Sequence, residues 1–106
     1  MLTPIETLLF SSGSAHVVVE ILQADGRLIV SVAPRANLGN VKVAEFTEVK
    51  ITSIEVCGDG PDDLNLPWDI IGFDGYRLSE LLWEFVLHCI GIEYGFQARW
   101  PEARIL

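Results

Sequence analysis

Apolar and polar positions alternate along several stretches of the chain with the period of two that a half-buried strand requires. In HVVVEILQADGRLIVSVAP, two β-rich runs flank Asp25 and Gly26. These residue types are favoured in a two-residue type I′ turn because they tolerate positive φ. Pairing Ala24 with Arg27 sets Ile21 opposite Val30 and Val19 opposite Val32 on one apolar face, while Glu20 meets Ser31 on the other.

The segment PRANLGN, with Pro34 and Gly39 among polar residues, reads as a connector to a second β-rich block, VKVAEFTEVKITSIEVC. Strict alternation there groups Thr52, Ile54 and Val56 on one face and Ile51, Ser53, Glu55 and Cys57 on the other. GDGPDDLNLP concentrates turn formers and bends the chain, but apolar runs on both sides can share a core, so residues 1–106 read as a single domain.

Near the C-terminus, IEYGFQARW alternates Ile92, Tyr94, Phe96, Ala98 and Trp100 with polar residues or glycine, a strong strand pattern. LLWEFVLHC alternates as well. A hairpin about Ile90 and Gly91 would bring Trp83, Phe85, Leu87 and Cys89 beside that aromatic face. The competing reading makes Leu78–Cys89 a helix, with Glu80, Glu84 and His88 at four-residue spacing. The hairpin is preferred because its alternation continues into the clearer strand. The fold class expected is therefore α+β or mainly β, a compact domain dominated by antiparallel β-hairpins with room for a short helix.

Charge narrows the partners. Fifteen acidic against 7 basic residues give a formal net charge of -8, which opposes general attraction to a nucleic-acid backbone or an anionic membrane surface and favours a basic protein. Charged residues and glycines interrupt the apolar runs well short of the roughly 20 residues a membrane-spanning helix needs. The opening MLTPIETLLFSSGSAH lacks the basic start of a secretory signal, so a cytoplasmic protein is expected.

Candidate chemistry changes this picture little. Cys57 and Cys89 make neither a disulfide framework nor a CxxC pair, and His16 and His88 are too few to complete a zinc site; buried thiols and structural histidines are the simpler reading. Asp59, Asp62 and Asp63 lack the spacing of a calcium loop and read as an acidic solvated turn. Phosphate-loop, dinucleotide, HExxH and GxSxG motifs are absent, so neither a cofactor nor a catalytic residue is assigned.

The most suggestive stretch runs from Glu55 to Asp74. It holds Glu55, Asp59, Asp62, Asp63, Asp69 and Asp74 without a Lys or Arg, a field suited to orienting a basic partner, with Trp68 and Phe73 as candidate apolar anchors. The leading functional expectation is an acidic protein-binding module, in its most specific form an inhibitor or immunity protein covering a basic cleft. Self-association through the aromatic C-terminal strand and a small enzyme of unassigned reaction are the alternatives.

Overall fold

The computed structural model describes residues 4–10, 15–56 and 66–105. A short helix, α1 (Pro4–Leu9), precedes β1 (His16–Ala24), β2 (Arg27–Pro34), β3 (Lys42–Phe46), β4 (Lys50–Val56), β5 (Trp68–Arg77), β6 (Trp83–Cys89), β7 (Ile92–Ala98) and β8 (Glu102–Ile105). All pairings are antiparallel, in the order β4-β7-β6-β5-β1-β2-β3-β8.

The joint between the halves of this sheet is narrow. β1 and β5 share only the registered pairs Val17↔Asp69 and Val18↔Trp68, so the sheet can fold back there and lay one half over the other. Phe46, on β3, has its ring centroid 4.9 Å from Phe96, 5.0 Å from Phe85 and 6.2 Å from Phe73, which belong to β7, β6 and β5. All four rings are fully buried. Edge-on and tilted ring pairs at such spacings add about 0.5–1.5 kcal/mol each beyond the burial of apolar area. One cluster takes in Val18, Val30 and Val32 from the first hairpin and Ile92, Phe96 and Ala98 from the last, so both ends of the chain build the same core.

The sequence of α1 explains its place. Ile5 and Leu9, four apart, fall on one helix face and are buried, while Pro4 and Thr7 are exposed. The helix packs against β5 at Gly75, where an added β-carbon would lie 3.7 Å from Ile5 Cγ2 and only 3.1 Å from the Phe85 ring. A glycine thus lets an aromatic ring and a helix side chain meet over one strand position.

The two predicted hairpins form. Asp25 (φ 51°) and Gly26 (φ 73°) make the first turn, and the second runs through Ile90 and Gly91 (φ 87°), pairing Cys89 with Ile92. Residues 83–89 are strand, which excludes the helical alternative for Leu78–Cys89; the helix among the described residues is α1.

Two details of register depart from strict alternation. Ile21 does face Val30 and Glu20 does face Ser31, but Val32 pairs with Val18 rather than Val19, because a bulge lies between Val18 and Glu20. A second bulge between Ile51 and Ser53 places Ile51 against Phe96 and Ile54 against Tyr94, so Ile51 shares a face with Ile54 and Val56. A third lies between Ile70 and Gly72, and Ile71 there is 71% exposed. Bulges increase local twist, which helps the sheet curl onto itself. Cys57 lies outside the described residues. Among those residues no helix is long and apolar enough to cross a membrane.

Candidate functional site

The outward face of β4, β7, β6 and β5 collects carboxylates from separate parts of the chain. Glu55 on β4 pairs directly with Glu93 on β7, and Glu93 pairs in turn with His88 on β6. Across the next strand His88 lies opposite Gly72, and its Cδ2 would be 4.0 Å from a β-carbon at that position, so the ring sits over a residue without a side chain. Asp74, two residues along β5, reaches the same ring diagonally. His88 Nδ1 is 3.2 Å from Glu93 Oε2, and Nε2 is 3.5 Å from Asp74 Oδ2.

Each of these side chains remains about one-third exposed. Ionised carboxylates only accept hydrogen bonds, so the imidazole can donate to both neighbours only when both ring nitrogens carry hydrogen. A metal ion at either nitrogen would meet just one of the two carboxylates. No group of three or more His, Cys, Asp or Glu among the described residues is arranged to hold a metal.

Glu84, two residues before Val86 on β6, extends the acidic face toward Tyr76 on β5, its registered partner. The cation on this face among the described residues is Lys50, opposite Gln97 at the start of β4. Most other cations are engaged elsewhere. Glu45 is 3.5 Å from both Arg27 and Arg104, Arg99 is 3.7 Å from Glu48, and Arg77 donates to the carbonyls of Ser79 and Glu80.

The fold separates the residues that the sequence grouped. Glu55 stands on an edge strand, whereas Asp69 and Asp74 stand on β5, with β7 and β6 between them. Asp69 is paired with Arg35, whose Nε donates to Oδ1 at 2.8 Å, and the same carboxylate raises the Arg35 pKa through hydrogen bonding and charge. Asp69 is therefore not a free steering charge. Phe73 is wholly buried among the other phenylalanines and cannot anchor a partner; Trp68 is partly buried and packs against the core. Asp59, Asp62 and Asp63 lie outside the described residues.

What sequence reading missed is Glu93 and Glu84, together with the setting of His88. Alternation in WEFVLHC and IEYGFQA was sufficient to place Glu84, His88 and Glu93 on the polar side of their hairpin. The meeting of Glu93 with Glu55 was not legible, because β4 and β7 are distant in sequence.

The remaining titratable and cavity-lining groups offer less. His16 is buried and stacks on Phe10 with centroids 4.6 Å apart. Cys89 is a buried free thiol whose pKa is pushed up to about 12, chiefly by burial and further by the charge of Asp69. An open hollow of about 490 Å³ at the first hairpin tip is lined by Leu22, Ala24, Asp25, Arg27 and Ile29, and one of about 350 Å³ by Glu45, Thr47, Arg99, Trp100 and Glu102. Neither contains His88 or the carboxylates beside it. Comparison with family models, curated proteins and solved structures finds no match to this chain.

Proposed function

We propose that this chain is an acidic protein-binding module whose β4–β7–β6–β5 face covers a basic surface on another protein. The observation that carries this reading is the Glu55–Glu93 pair, two carboxylates at directly opposed positions on adjacent strands, with Asp74 and Glu84 on the same face. Like charges so placed oppose folding. A partner supplying Lys or Arg would relieve that repulsion, and the field of the face would steer the encounter.

An inhibitor or immunity protein seated over a cationic cleft is the most specific form of this reading, and the cytoplasm is its setting. An enzyme is supported less. A base needs a substrate held against it, and His88 lies on an open sheet face between carboxylates. The test is retention of proteins from a cell extract on the immobilised chain, followed by titration of the purified binder against the purified chain. A basic binder whose affinity falls as salt rises is the expected outcome; no direct binder, or one indifferent to salt, contradicts the proposal.

A further inference from the structure

We infer that the free edge of β4 accepts an extended basic segment of the partner as an added strand, with apolar and cationic side chains alternating along it. This rests on the proposed acidic face and specifies how that face is used.

Among the described residues β4 and β8 are the two ends of the strand order, and an end strand presents backbone N–H and C=O groups that can template another strand. Edges are commonly blunted by Lys, Pro or an inward-pointing charge. In β4 such devices, Lys50 and the bulge between Ile51 and Ser53, sit at the start of the strand; beyond them Ser53–Val56 has no Lys, Arg or Pro and is in regular register with β7. On the core side of that run Ile54 and Val56 are paired with Tyr94 and Ile92, yet they remain 50% and 52% exposed. On the other side Glu55 is backed by Glu93.

An incoming strand therefore meets apolar groups on one face and carboxylates on the other at successive residues. Valine-like side chains would cover Ile54 and Val56, while Arg or Lys would reach Glu55 and, with their long stems, Glu93 one strand further in. Charge selects against a second copy of this chain. A symmetric β4–β4 pairing would add Glu55 to Glu55, and each copy carries a net charge of -8. Joining β4 to the β8 of another copy would match its Arg104 and Ile105 but has that overall repulsion to overcome.

The test titrates the full chain with two short labelled peptides of identical composition, one alternating valine and arginine, the other with the valines and arginines in separate blocks. The alternating peptide is expected to bind at least about tenfold more tightly and to slow amide hydrogen exchange at Ser53–Val56. In a chain carrying Ile54→Lys and Val56→Lys, at two exposed positions, that preference should disappear. Equal binding of both peptides overturns strand addition while leaving the acidic-face reading intact. Binding of neither also overturns strand addition, whereas the acidic-face reading stands or falls on the salt-dependent titration with the purified binder. Concentration-dependent oligomers abolished by Ile54→Lys would assign the edge to a second copy instead and also overturn the inference.

Discussion

The Phe46 ring stands edge-on to that of Phe85, with centroids 5.0 Å apart and planes at 67°, across the space between the two halves of the sheet. Phe46 is the β3 residue that meets rings from three strands of the other half. Truncating it leaves a cavity that strands tied into their own ladders cannot close. Phe46→Ala is expected to lose about 3–5 kcal/mol of stability, measured by chemical denaturation. A loss well under that range would mean that the halves are held by other contacts.

Gly75 tests the same packing from the opposite direction. An alanine there would put its β-carbon 3.1 Å from Phe85 Cε1, and that ring has Phe46, Trp83 and Phe96 as neighbours. The ring has little room to retreat, so Gly75→Ala should destabilise by about 1–3 kcal/mol despite alanine's lower chain entropy when unfolded. Unchanged stability in a thermal melt would show that the ring moves freely.

The thiol of Cys89 predicts a pH window. Its pKa rises from an ordinary 9.0 to about 12 in the folded chain, so between those values the unfolded thiol has lost its proton while the folded one keeps it. Folding stability should then fall as pH climbs through that interval. Cys89→Ala should flatten the slope, and native Cys89 should resist alkylation at mildly alkaline pH until the chain is unfolded. Rapid alkylation of Cys89 itself in the native protein, distinguished from Cys57 by peptide mapping, would contradict the burial.

The opposed carboxylates give an outcome in which stability and binding move apart. Glu55→Lys replaces a repulsive cross-strand pair with an attractive one, and a gain of about 0.2–1 kcal/mol is expected by urea denaturation. The same change should weaken binding of a basic partner. Loss of stability would mean that Glu55 and Glu93 do not share a face.

Legibility in the sequence followed the range of the interactions. Asp25–Gly26 and Ile90–Gly91 are local turn signals, and both hairpins could be read from them. The bulges after Val18 and Ile51 could not, since an extra residue in a strand reflects how the whole sheet twists. α1 is too short to show a helical period. The acidic site was half legible for the same reason: Glu84, His88 and Glu93 belong to one hairpin, but the pairing with Glu55 needs β4 to join β7 across the intervening β5 and β6. Read along the chain, Glu55, Asp69 and Asp74 form one acidic run; folding sends Glu55 to the sheet edge and Asp69 to Arg35.

The most direct measurement compares two variants with the same net charge against the purified basic binder. One carries Glu55→Gln, Glu84→Gln and Glu93→Gln on the proposed face; the other carries Glu20→Gln, Glu80→Gln and Glu102→Gln at exposed positions elsewhere. The face variant should bind at least about tenfold more weakly at low salt, and the other should stay near the unmodified chain. Equal weakening in both would show that net charge alone attracts the partner, and would contradict a binding site on the β4–β7–β6–β5 face.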